Sequence, residues 1–407
     1  MSKSKIFASE SVRKAISLGV LCAVAYFAVY IARNTLGAIA PKTGFSEAFL
    51  GNTSSVYFIC YAVGQLINGV IGDRIKARNM ISFGLLFAGL FNLAFTLLAP
   101  VSEPIALVAY GVTGFFLAMI YAPMAKVVSE NTEPHHATRC SLGYTFSSLF
   151  GSPAAGLIAA CVTVWQISFF VSSFAMIGMA VVCFLCFLRF EKRGYVKYGQ
   201  YQPPKEESTG GTVGILVRHG IIRFALIAIL TGVVRTTVVF WLPTYFNDYL
   251  GYSEDTAALI FTVVTLIVSF SAFLSVFVYE LLGRKMLLTT ILMFAASALS
   301  FAATFLIPLP LLRVVFITLS VLFSNGASNM LWSVYCPSLR DTGRVSSATG
   351  FLDFCSYIAA ALSSRLFATA ATTIGWGPLT LVWCGLMILG IFVAVIPFGR
   401  RATTDAA

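Results

Sequence analysis

Charged side chains are scarce in this chain: they make up 11% of its residues, against about 25% in a soluble globular domain. With 58% hydrophobic residues and a mean hydropathy of +0.88, that scarcity excludes a water-soluble globule. Histidine is rarer still. The three present, His135, His136 and His219, fall in loops or flanks, which leaves none for chemistry inside an apolar segment. The nine cysteines lie mostly within apolar runs and read as small packing residues. Cys183 and Cys186 have CxxC spacing but no further ligands nearby, and a zinc site needs four. There is no nucleophile–base set, phosphate-binding glycine loop or metal-ligand cluster. Neither an enzyme nor a bound cofactor is therefore expected. No basic patch with interleaved aromatics points to nucleic acid.

Long polar stretches are also missing, with one exception. Apolar runs of about 20 residues, enough to cross a ~30 Å hydrocarbon core, recur to the C-terminus. We place twelve spans, at about 15–40, 50–72, 80–99, 104–127, 140–162, 165–188, 220–246, 256–280, 286–307, 310–335, 346–370 and 376–397. The exception begins at Glu191 and carries Pro203-Pro204, Lys205-Glu206-Glu207 and Gly210-Gly211, the composition of a flexible linker. It divides the spans six and six: residues 1–190, a linker at 191–219, and residues 220–407. The expectation is an all-α integral membrane protein of 12 helices in two six-helix halves. No small-residue cleavage site precedes the first span, so an uncleaved first helix is expected.

Basic residues orient it. Of 27 Lys and Arg, 22 fall on one side of this topology, all but Arg33, Lys42, Arg235, Arg313 and Arg365. The asymmetry predicts cytoplasmic termini and a cytoplasmic linker. Only Lys42 and Arg313 remain for the opposite side.

Arg33, Arg235 and Arg365 lie within spans, where a charge at the bilayer centre costs roughly 2.5–3.5 kcal/mol on insertion scales. Arg33 and Arg235 each stand eight positions before a proline, in YFAVYIARNTLGAIAP (Tyr26 to Pro41) and RTTVVFWLP (Arg235 to Pro243). The match suggests one anion site made by a duplicated chain. Guanidinium offers a planar fork of donors for oxyanions and stays charged when buried. Tyr26, Tyr30 and Arg33 share a helix face at i, i+4 and i+7. The tyrosines line a cavity or form an interfacial belt. Other repeats agree with duplication. GVIGDRIKAR (Gly69 to Arg78) aligns with VFVYELLGRK (Val276 to Lys285), setting Asp73 against Glu280 and Lys76/Arg78 near Arg284/Lys285, with Arg74 in the same loop. An acid close to bases at helix ends suits a gating loop. Pro123 and Pro337 break equivalent helix pairs.

These stretches, with Tyr61, SFGLLFAGLFNLAF and RTTVVFWLPTY, resemble the organophosphate:phosphate antiporter family of the major facilitator superfamily, over nearly the whole chain. The resemblance implies the major facilitator fold and a carrier that rocks its halves to exchange an organic phosphate for inorganic phosphate. It assigns Arg33 and Arg235 to the phosphate, and Tyr26, Tyr30, Tyr61 and Tyr357 to the cavity. The chain departs from glycerol-3-phosphate-type members, with Gln65 at a lysine position and no histidine near Ser148. Gln65 lies one turn after Tyr61 and still offers hydrogen bonds. Asp353, a carboxylate within span 11, is a proton-coupling group, a partner for an arginine, or a helix-end residue reaching water. Alternatives are a proton-coupled organic-anion carrier of the same fold, a non-transporting sugar-phosphate sensor and a multidrug exporter. Expected partners are a small anionic substrate and the bilayer. A monomer in a bacterial inner membrane is expected.

Overall fold

In a bilayer every backbone polar group must find its partner within the protein, and an α-helix does so within one segment. The computed structural model describes residues 3–71, 75–133, 140, 150–198, 216–217, 219–339 and 345–396. All regular structure among the described residues is helical. In chain order the helices are α1 (Lys3–Ile39), α2 (Glu47–Ile71) and α3 (Ala77–Leu98), then α4 (Glu103–Asn131), α5 (Phe150–Cys161) and α6 (Trp165–Lys192). There follow α7 (Ile221–Tyr249), α8 (Glu254–Leu281), α9 (Met286–Leu306) and α10 (Pro310–Tyr335), and α11 (Val345–Thr373) and α12 (Trp376–Val395). Among the described residues, ten helices are long and apolar enough to cross a membrane. α2 adds 25 residues, and α5 is a shorter apolar helix. The first part of the span expected at 140–162, and most of the linker, lie outside the described residues.

Prolines mark where these helices deviate. α4 is interrupted at Ala118–Ile120, just before Pro123, whose ring displaces the carbonyl four residues back. α7 contains two π-helical turns, Val233–Val238 and Tyr245–Tyr249, on either side of Pro243. α10 ends in a third, Leu331–Tyr335, ahead of Pro337. A π turn widens the helix and re-aims the side chains in it, and such turns gather at functional sites. Arg235 occupies the first of them.

The chain forms two compact units. Unit 1 comprises Met1–Gly44, Val56–Pro204 and Glu254–Thr262; unit 2 comprises Phe45–Ser55, Lys205–Ser253 and Val263–Ala407. Each has an aromatic core. In unit 1 Phe95 packs against Tyr110 and Phe169 with ring centroids 4.8 and 5.1 Å apart, and Tyr57 lies 5.1 Å from Tyr110. In unit 2 the fully buried Trp241 meets Trp376 at 5.9 Å, and the equally buried Trp383 meets Phe301 at 5.8 Å. Outward-facing positions are apolar as well: Leu299 and Leu306 are 72% and 74% exposed. A surface of that kind suits lipid rather than water.

Small residues let the helices of unit 1 close up. A Cβ on Gly151 would stand 2.3 Å from the Cβ of Tyr30, and one on Gly114 would stand 2.6 Å from the carbonyl oxygen of Tyr57. The first contact seats α5 directly on the tyrosine that precedes Arg33 by three residues.

Of the loop residues expected to gate, Asp73 and Arg74 lie outside the described residues. Arg78 forms an ion pair with Glu191 at 2.8 Å, at the far end of α6. Tyr198 donates to the other oxygen of that carboxylate at 2.8 Å. Burial and this bond raise the Tyr198 phenol above its ordinary value, so it remains a donor. Glu280 and Arg284 are exposed, and Arg284 has a left-handed φ of 62° directly after Gly283 at 64°.

Candidate functional site

The residues expected to bind substrate fall into two clusters, one in each unit. In unit 1, Arg33 lies between two tyrosine rings, its guanidinium carbon 5.4 Å from the Tyr30 centroid and 5.3 Å from that of Tyr61. Tyr26 extends the group, edge-on to Tyr30 at 5.0 Å. Tyr61 stacks on Tyr57 at 6.1 Å, which ties the cluster to the aromatic core. The 3.6-residue repeat puts Tyr26, Tyr30 and Arg33 on one side of α1. Tyr61 reaches the same guanidinium from α2. Gln65, one turn along α2 from Tyr61, is half-buried.

In unit 2, Arg235 projects from the first π turn of α7. Its guanidinium carbon is 5.9 Å from the Tyr357 ring on α11 and 6.0 Å from the Trp332 ring on α10. Both distances are within reach of cation–π attraction. The Nε and Nη2 atoms of Arg235 are buried and have no hydrogen-bond partner. An unmatched buried donor costs about 1–3 kcal/mol, and more when charged. What the rings leave open is a fork of N–H donors, the group best matched to an oxyanion.

Close backbone approach sets this geometry. A Cβ on Gly232, one turn before Arg235, would stand 2.2 Å from the Ser356 hydroxyl and 2.8 Å from the Ser356 carbonyl oxygen. Glycine lets α7 lie directly on α11 beside Tyr357. Thr237 reinforces the contact by donating to the Ala360 carbonyl at 2.9 Å.

Sequence reasoning missed Trp332. Its indole N–H donates to Ser328 Oγ at 3.2 Å, which fixes the ring, and the neighbouring Asn329 amide donates to Ser271 Oγ at 3.2 Å. An aromatic residue in an apolar helix reads as packing or as part of an interfacial belt. The available signal was the polar series Asn325, Ser328, Asn329 and Trp332 at helical spacing, ending just before Pro337. Asp353 is half-buried one turn before Tyr357 on α11, and Arg365 is exposed further along the same helix. Among the described residues there is no group of His, Cys, Asp and Glu that could hold a metal ion.

Known proteins point to a carrier. The chain is 25% identical over 410 residues to a hexuronate transporter of Bacillus subtilis (strain 168), covering 93% of this chain and 94% of that one. It is 20% identical over 393 residues to sugar phosphate exchanger 3 of Homo sapiens, covering 83% and 77%. The crystal structure of a D-xylose–proton symporter superposes with a TM-score of 0.69 at 15% identity, covering 95% and 96%. At that identity the likeness speaks to the fold alone. Residues 18–364 match the model of the Major Facilitator Superfamily, and the chain belongs to that family: it is a multi-pass membrane transporter, not an enzyme.

Proposed function

We propose that this chain exchanges a phosphorylated organic anion, a sugar phosphate or similar, for inorganic phosphate by alternating access, with Arg33 and Arg235 as the phosphate ligands. The observation that carries the reading is the Arg235 guanidinium, whose Nε and Nη2 are buried and unpartnered beside two aromatic rings. The equivalent arginine in the first half, ringed by tyrosines, supports it, as does the resemblance to the human sugar phosphate exchanger. A carrier with two such cations meets a penalty of several kcal/mol per ion when it closes around them without a counter-anion. Bound phosphate offsets that penalty, so the loaded carrier crosses more readily than the empty one. Exchange is then obligatory. Proteoliposomes should take up labelled phosphate only when phosphate or an organic phosphate is trapped inside. Equal uptake into empty vesicles would overturn the exchange reading.

Trp332 is assigned to the organic moiety, since a fixed indole beside the anion-binding group offers a flat face for a sugar ring. Trp332→Ala should raise the concentration of hexose phosphate needed to compete with labelled phosphate by about tenfold, using roughly 1–1.5 kcal/mol for a stacking face. Phosphate–phosphate exchange should stay within about twofold of wild type. An equal loss of both would place Trp332 in the anion-binding group itself.

A second reading has one observation in its favour, the end-to-end similarity to a hexuronate transporter. Guanidinium binds carboxylate as it binds phosphate, and Asp353 would then serve as the proton-coupling group. On that reading an imposed proton gradient drives uptake into empty vesicles, and Asp353→Asn abolishes the gradient-driven part while counterflow survives. On the exchange reading Asp353→Asn leaves phosphate exchange insensitive to the gradient, as in wild type.

A further inference from the structure

Near the start of α1 and the end of α6, unit 1 carries a cavity of about 510 Å³ that shares no residue with the substrate clusters. Three segments line it. Glu10, Ser11 and Lys14 come from α1, Glu133 follows α4, and Arg193, Gly194 and Tyr195 follow α6. All of them belong to unit 1.

The chain after α6 folds back to make one wall. Gly194, with a φ of 71°, turns the backbone out of the helix. The N–H groups of Tyr195 and Val196 then return to the Phe190 carbonyl at 2.8 and 3.4 Å. A glycine just past a helix end allows such a return. Val196 is buried, and the Lys197 backbone N–H donates to Asn131 Oδ1 at 2.7 Å, at the end of α4. Tyr198 completes the attachment through the Glu191 carboxylate that also holds Arg78. The wall is thus fixed at both ends.

The cations at this cavity are not spent within the protein. Glu133 accepts from the Ser11 hydroxyl at 3.0 Å, so that carboxylate already has a partner. Lys14 and Arg193, by contrast, form no ion pair among the described residues. Lys14 also stands close enough to Lys197 for their like charges to repel. Gathered charge of one sign draws counter-ions to a cleft. Guanidinium and ammonium donors meeting at one opening suit a group with several acceptor oxygens. The three cations stand against two carboxylates, Glu10 and Glu133, and leave a single positive charge. A singly charged phosphate diester neutralises it. A dianionic monoester would be repelled by the carboxylates.

We propose that this cavity binds a phosphate diester, its oxygens held by Lys14 and Arg193 with Lys197 close by. Two sources fit that chemistry. One is the headgroup of a bilayer lipid, since basic pockets at helix ends bind lipid headgroups; the other is a soluble diester. The site does not depend on which anion the carrier moves.

The test reads Lys14 itself. The full chain in neutral detergent is acetylated with an N-hydroxysuccinimide ester, and the rate at each lysine is followed by mass spectrometry. Its two arms are micelles carrying phosphatidylglycerol and soluble glycerophosphoglycerol, the same diester without tails. At ten times the dissociation constant of the ligand, Lys14 should label about tenfold more slowly by mass action. The exposed Lys285 should label at its usual rate throughout. Slowing by the lipid alone assigns the site to the bilayer, and slowing by both assigns it to the diester in either source. Diacylglycerol, which has the tails and no phosphate, should leave Lys14 unprotected, and so should inorganic phosphate. Arg193→Gln should weaken protection about fivefold, the effect of one basic residue near a charged headgroup. Glu10→Gln should strengthen it about two- to fivefold, the range for an exposed charge pair. One labelling rate for Lys14 in both arms overturns the site, as does equal slowing of Lys285. Equal protection by diacylglycerol or inorganic phosphate, or protection unchanged in both variants, overturns it too.

Discussion

Exchange of labelled phosphate should fall at least tenfold, and by up to about a hundredfold, in Arg33→Lys and in Arg235→Lys, from the roughly 1.5–3 kcal/mol carried by hydrogen bonds to charged groups. Lysine keeps the positive charge but has no planar fork, so the loss reports bidentate recognition rather than field strength. If both arginines engage one anion, the losses will not add, and the double variant should be little worse than the poorer single one. Stability provides the control. Nε and Nη2 of Arg235 make no hydrogen bond within the protein, so Arg235→Lys should leave the thermal midpoint in detergent unchanged or slightly raised. A structural arginine would lower it. Phosphate should raise the midpoint of wild type through linkage and lose that effect in either variant. Full exchange in both would remove the arginines from the site.

How much of this was legible in the sequence depends on the residue. Arg33 and Arg235 stand out because a charge inside an apolar run is costly anywhere, and their matched distance to a proline makes them a pair. Tyr30 and Tyr61 follow from helical spacing and resemblance, and both lie beside Arg33. The helix runs are equally plain, because twenty apolar residues in lipid have few alternatives. Trp332 was hidden for the opposite reason, as one aromatic among many in a lipid-facing composition. A π turn decides which way it points, and hydropathy carries no trace of that turn. Lys42 was misleading in another way. Counted as a loop charge, its side chain is only 4% exposed, because α5 ends where its carbonyls at Ala159 and Val162 accept from the ammonium.

Gly232→Ala should disable transport by tenfold or more without touching any ligand. The added methyl would enter within 2.2 Å of the Ser356 hydroxyl and 2.8 Å of its carbonyl oxygen, so α7 and α11 must separate by several tenths of an ångström. The Arg235 guanidinium on one helix and the Tyr357 ring on the other would then part, and misplacement of a positioned group by even 1 Å costs about a hundredfold in well-aligned sites. Part of the clash comes from a side chain and part from backbone, which gives the prediction its internal check. Ser356→Ala removes the hydroxyl and by itself should be close to silent. Combined with Gly232→Ala it should recover some of the lost exchange but not all, because the carbonyl remains. Lipid-facing Gly385, where a Cβ would meet nothing within 4 Å, serves as the comparison, and Gly385→Ala should exchange like wild type. If Gly232→Ala also exchanged like wild type, the close approach of α7 to α11 would not be what aligns Arg235 with Tyr357, and the alignment would have to come from the π turn alone.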